Sequence, residues 1–95
     1  MRFECDLKKT EDPEKVEKMI RGLFRTATLN READGVTGQV GDKEFWEKVD
    51  EHEITPIVRQ ALEEDGKISF GKIPMVAGKL SVDAGFPLGA FTVYP

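Results

Sequence analysis

Hydrophobic and polar positions follow three rhythms along this chain. Near the start they alternate: Phe3, Cys5 and Leu7 share one side, and Arg2, Glu4, Asp6 and Lys8 the other. A period of two predicts a half-buried strand. Thr10-Glu11-Asp12-Pro13 interrupts it. Val16, Met19, Ile20, Leu23 and Phe24 then recur at i, i+3, i+4, i+7 and i+8, one stripe of a helix. Asp12 suits its N-cap and Pro13 its first position. On the outer face, Glu14 precedes Lys18 and Glu17 precedes Arg21 in the favourable i,i+4 order.

Helical period is lost between residues 26 and 40. Thr26, Thr28 and Leu29 predict a short strand, Asn30 to Gly35 a turn, and Val36 to Val40 a returning strand that Gly38 should weaken. Asp42 is positioned to cap a second helix carrying Phe45, Trp46 and Val49. Pro56 disfavours helix at Thr55, so a third helix starts afresh there with Ile57, Val58, Ala61 and Leu62, and Gly66 ends it. The final third alternates again, at Ile68–Phe70, Leu80–Val82 and Phe91–Val93, with glycines at 66, 71, 78, 85 and 89 between the runs.

The predicted order is β-α-β-β-α-α-β-β-β over residues 1–95 as a single domain. Short connections and segregated blocks make this α+β: one mostly antiparallel sheet with two or three helices on one face. The first ten residues and the last thirty should share that sheet, with Val16–Phe24 packed against it.

Composition narrows the class. In 95 residues, 39% are hydrophobic and 34% charged, enough for a thin core and outside the disordered, collagen-like and disulfide-stapled classes. The net charge of −4 is opposite in sign to that of a dedicated nucleic-acid binder. It is uneven: residues 1–30 carry seven basic and six acidic groups, residues 31–66 four and eleven, residues 67–95 three and one. The lone Cys5 permits no internal disulfide and no thiolate metal site, which suits a reducing, cytoplasmic compartment. No apolar run approaches the ~20 residues that cross a bilayer, and the opening residues lack a signal-peptide pattern.

Candidate chemistry is sparse. Cys5, on the apolar side of its strand, reads as core, and no base is placed to activate it. His52, between Glu51 and Glu53, reads as a solvated surface histidine. Asn30, Glu32 and Asp34 imitate the opening of a calcium loop, but Gly41 stands where the bidentate Glu belongs and the flanks look extended; an Asp-Gly hairpin explains the same residues, and no metal is assigned. Gly66 and Gly71-Lys72 have a P-loop gap, yet Ile73 replaces the Ser or Thr. No cofactor is implied. The acidic run from Glu44 to Asp65 reads as a solvated face or a docking surface for a basic partner.

Three stretches together resemble a known family: Lys9-Thr10-Glu11-Asp12-Pro13-Glu14-Lys15-Val16 ending in Leu23-Phe24; Phe70-Gly71-Lys72-Ile73-Pro74-Met75-Val76-Ala77-Gly78-Lys79-Leu80; and Pro87-Leu88-Gly89 before the final strand. In that order they resemble an archaeal family of small proteins described as predicted RNA-binding or exosome-associated, with a fold like ribosomal large-subunit protein five. The resemblance covers about half the chain, at its ends. It implies an antiparallel sheet with helices on one side, and RNA or a ribonucleoprotein as partner. The contacts it implies are Arg59, Lys72 and Lys79, with Lys8 and Lys9 adding charge. The middle departs. Glu51-His52-Glu53 stands where the family carries an Arg-Gln-Arg-like cluster, Gly71 and Ile73 replace the neighbours of Lys72, and the chain is shortened between the first and last helices. Exchanging arginines for glutamates turns phosphate attraction into repulsion at that place.

The expectation is a non-enzymatic, cytoplasmic binding protein associated with RNA or a ribonucleoprotein. The alternatives are a protein-interaction module or homodimer using the acidic middle, and a divalent-ion binder at residues 30–42.

Overall fold

The computed structural model describes residues 1–82 and 90–95. The chain order is β1 (Arg2–Asp6), α1 (Pro13–Leu23), β2 (Thr28–Glu32), β3 (Gly35–Gln39), α2 (Asp42–Glu51), α3 (Thr55–Asp65), β4 (Ile68–Gly71), α4 (Lys72–Val76) and β5 (Ala90–Tyr94). The strands form one sheet in the order β2-β3-β1-β5-β4, and every neighbouring pair is antiparallel. The fold is α+β. β1 lies between β3 and β5, so the first and last strands pair directly, Phe3 opposite Val93 and Cys5 opposite Phe91.

The alternation read from the sequence sets which way each strand faces. Phe3, Cys5, Val36, Ile68, Phe70, Phe91 and Val93 are buried on one side, where the helices cover them. Val16, Ile20, Leu23 and Phe24 of the α1 stripe are buried against the same cluster. Five phenylalanines organise it. Phe91 lies 4.8 Å from Phe3 and 5.9 Å from Phe24, and Phe45 lies 6.2 Å from Phe24 and 6.4 Å from Phe70. At such separations aromatic pairs add to plain area burial.

Local signals explain most boundaries. The Asp12 carboxylate accepts from the Glu14 amide at 3.0 Å, and Pro13 opens α1. Gly66 ends α3 in the left-handed region, at φ 69°. Gly38 does not weaken β3 as expected. Phe3 sits directly over it, and a Cβ there would lie 2.8 Å from the Phe3 ring and collide with the Thr28 carbonyl, so the close approach of three strands requires glycine.

Several details differ from the reading by periodicity. The turn expected from Asn30 to Gly35 is shorter: β2 runs on to Glu32, and Ala33-Asp34 alone make the turn. Asp42 does not cap α2. Gly41 is the cap residue, and the Asp42 carboxylate instead receives the amino-terminal ammonium at 2.8 Å. Glu17 turns to Arg31 of β2, at 2.9 Å, rather than along its own helix to Arg21. Among the described residues the run at 80–82 provides a single bridge, Phe70 to Val82, and Gly71 donates to the Ser81 carbonyl at 3.0 Å. A short helix, α4, precedes it. Pro74 lacks the amide that a first turn leaves unused, and Gly78, at φ 79°, turns the chain out of the helix. Asp83, Gly85 and the Pro87-Leu88-Gly89 motif lie outside the described residues.

Candidate binding surface

The residues expected to touch RNA do not form one site. Lys72 is buried, at 7% exposure. It leaves the end of β4 pointing inward, so its ammonium donates to the Asp6 carbonyl and to Glu11 Oε1, at 2.8 Å to the latter. A buried ammonium saturated by such partners is a structural cation rather than a phosphate contact. Partial burial raises the Glu11 carboxyl, but the Lys72 ammonium and the Lys8 amide outweigh it and hold the group below the usual carboxylate range.

Arg59 is exposed on α3, its guanidinium 5.7 Å from the Trp46 ring, in a hollow that also includes Met1, Asp42 and Pro95. That hollow is at the Met1 end of β1, and Lys72 is at the Asp6 end. Five residues of strand, about 17 Å at ~3.3 Å each, separate them. Lys79 is exposed beyond α4, its amide donating to the Pro74 carbonyl at 2.9 Å. Lys8 and Lys9 are exposed in the turn between β1 and α1.

The uncovered face of the sheet is polar and net acidic. Arg2 is its basic side chain, against Glu4, Asp6 and Glu32. Tyr94 lies 4.5 Å beneath the Arg2 guanidinium and donates to Glu4 at 3.3 Å, so its ring face is already taken; burial first, then Glu4, pushes its phenol up. A sheet that binds single-stranded RNA presents free aromatic faces in a positive field, and this one does neither.

The remaining candidates lie in different surroundings. Asn30 and Glu32 sit within β2 and Asp34 in the tight turn, so strands flank the stretch where a calcium loop needs helices. Among the described residues no three acidic, histidine or cysteine side chains gather as a metal site. Cys5 is buried, and burial pushes its thiol up to about 11, with Lys72 opposing and Glu11 and Asp6 adding. His52 is not the solvated histidine expected. It is half-buried, with Nδ1 2.8 Å from the Lys48 carbonyl and Nε2 3.3 Å from the Gly78 carbonyl, tying the end of α2 to the exit of α4. Part of the acidic middle is engaged within the chain. Glu44 accepts from the Arg25 and Thr26 amides and from the Thr26 hydroxyl, Asp50 accepts from Thr55, and Glu51 pairs with Lys48.

One surface stands out, and the sequence reading passed over it. A groove of about 340 Å³ runs between α1 and α4, with Val16, Met19, Ile73 and Val76 as its apolar lining and Thr10, Glu11, Asp12, Lys15 and Lys72 at its margins. Met75 and Lys72 anchor α4 from within, which turns Ile73 and Val76 outward, three residues apart on one side of the turn. They are 82% and 76% exposed. The available signal was the pair of aliphatics between Gly71 and Gly78 that fits neither a strand alternation nor a helix stripe.

No protein-family model matches the chain, and no curated protein matches it. Solved structures do. The chain is similar to an uncharacterised UPF0201 protein, at 20% identity and a TM-score of 0.72, covering 99% of this chain and 82% of that one. It is also similar to the UPF0201 protein from Methanococcus jannaschii, at 21% and 0.73, covering 98% and 79%. A third neighbour is a protein from Archaeoglobus fulgidus assigned to DUF54, at 20% and 0.68, covering 96% and 79%. At these identities the likeness shows the fold, one shared with archaeal proteins. No helix among the described residues is long and apolar enough to cross a membrane.

Proposed function

We propose that this chain is a non-enzymatic binding protein whose working surface is the α1–α4 groove and whose partner is another protein. One observation carries the proposal. Ile73 and Val76 stand out in water on a helix pinned from its other side. Burying such side chains is worth about 1.5–3 kcal/mol each, and nothing in the local fold forces them outward except the inward anchoring of Lys72 and Met75. A non-enzymatic role is supported by the state of Cys5 and His52: the Cys5 thiol is buried and held protonated, and both His52 ring nitrogens face carbonyl oxygens.

The test is capture from native lysate with the wild type and with an Ile73→Asp/Val76→Asp variant, each with and without ribonuclease. The proposal expects a protein retained after ribonuclease and lost with the variant. Capture that needs RNA, or that the variant leaves unchanged, overturns it.

A second reading is an RNA- or ribonucleoprotein-associated protein with a fold like ribosomal large-subunit protein five, as the terminal motifs imply. The exposed Lys8, Lys9, Lys79 and Arg59 favour it. The buried Lys72 and the acidic open sheet weigh against it. A salt titration against structured and single-stranded RNA tests this reading, since phosphate contacts give an affinity that falls steeply with salt. Absence of binding at low ionic strength excludes it.

A further inference from the structure

We infer that the groove takes an acidic amphipathic segment of its partner, apolar side chains inward and carboxylates toward a lysine rim. The inference rests on the groove reading above and adds the partner's charge. Along α1, Asp12, Lys15, Val16 and Met19 face the groove. At 100° per residue, Lys18 falls next to Lys15 on the flank turned away from the sheet. Lys8 and Lys9 belong to the turn that leads into the Thr10–Asp12 wall. All four lysines are exposed, and among the described residues none of them is in an ion pair.

The acids at the groove are already engaged. Glu11 is neutralised by Lys72 at 2.8 Å, and Asp12 caps α1, where the positive end of the helix partly offsets its charge. Against the exposed carboxylates of Asp12 and Glu14 stand the four lysines, so the balance around the apolar floor is positive. The protein as a whole carries −4 and its middle is strongly acidic, so this basic rim is a local feature of the groove.

Shape points the same way. At about 340 Å³ the groove is at the small end of the range for bound ligands. Lys72, the buried cation beside it, is saturated within the protein. An apolar trough flanked by charge suits a helix that lays down residues at i, i+3, i+4 and i+7. The trough is also preformed. α4 is closed by the Ala77 and Lys79 amides on the Pro74 carbonyl and by the Gly78 amide on that of Met75, so little ordering accompanies binding.

The experiment uses two labelled synthetic helical peptides with leucines at i, i+3, i+4 and i+7. One carries glutamates at the outer positions and the other lysines. Fluorescence anisotropy is read against the full chain, with circular dichroism confirming that each variant is folded. The glutamate peptide should bind at least roughly tenfold tighter at low salt, and that margin should shrink as screening rises. Lys15→Glu/Lys18→Glu should reverse the preference, and Ile73→Asp should abolish binding of both. Equal binding of the two peptides, or indifference to the charge reversal, overturns the inference. If Ile73→Asp still removes that binding, the groove reading survives without it. Binding of neither peptide also overturns the inference, while lysate capture judges the groove reading separately. Displacement of the peptide by a single-stranded RNA oligonucleotide would assign the lysine rim to nucleic acid. A concentration-dependent dimer abolished by Ile73→Asp would assign the groove to a second copy. Either result overturns the inference.

Discussion

Replacing Lys72 with methionine separates a structural cation from a phosphate contact. The ammonium donates to the Asp6 carbonyl and to Glu11, joining the end of β1 and the approach to α1 to the start of α4. A hydrogen bond to a charged group contributes roughly 1.5–3 kcal/mol. Removing the ammonium also removes its desolvation cost, and methionine refills the space of the methylene stem. Glu11, whose side chain is 29% exposed, takes up water when its partner leaves. The loss should therefore be about 2 kcal/mol, below the 3–5 kcal/mol of stranding a fully buried charge. At roughly 4–8 °C per kcal/mol for a chain of this size, Tm should fall by about 8–16 °C.

The pH dependence supplies a sharper signature. Glu11 is depressed in the folded state, so its contribution is present above the ordinary carboxylate value of 4.5 and is lost as pH falls through the folded value. The gap between wild type and Lys72→Met should be widest at neutral pH and narrow in acid. Urea unfolding from pH 3 to pH 7 measures it. Unchanged stability accompanied by weakened RNA binding would refute the structural role and restore Lys72 to the phosphate-binding set.

Three further predictions are independent of that pair. Gly38→Ala should lower the urea midpoint by the equivalent of about 2–3 kcal/mol, because the added methyl meets both the Phe3 ring and the Thr28 carbonyl; a neutral substitution would show that the three strands have slack there. Cys5 should resist a thiol-disulfide reagent at pH 8 until urea unfolds the chain, since a thiol at about 11 is ionised in roughly one molecule per thousand and is sealed in the core; prompt labelling of the native protein contradicts this. Glu53→Gly should raise Tm, because Glu53 holds φ 59° between α2 and α3 and relief of that conformation is worth about 1 kcal/mol; a fall in Tm would mean that the Glu53 side chain contributes more than its backbone costs.

The sheet and the α1 stripe were legible because they depend on local rhythm. Phe3, Cys5, Phe91 and Val93 alternate, Val16 to Phe24 repeat as a helix does, Asp12 marks the start of that helix, and Gly66 marks the end of α3. The site was not legible, because it depends on contacts between distant parts of the chain. Lys72 reads as an exposed cation in sequence and is buried only because Glu11 and Asp6, more than sixty positions earlier, arrive beside it. Glu44 counts as one more acid on a solvated face until the turn at Arg25 and Thr26 closes over it. Ile73 and Val76 look like core residues by type. They are exposed because Met75 and Lys72 claim the inner side of the single turn that carries them.

The most direct measurement is a methyl and amide chemical-shift map of the full chain titrated with the glutamate-bearing peptide. The account predicts changes concentrated at Val16, Met19, Ile73 and Val76, with Lys15 and Lys18 at the margin. Changes centred on the open sheet, at Thr37, Thr92 and Tyr94, or around Trp46 and Arg59, would contradict it.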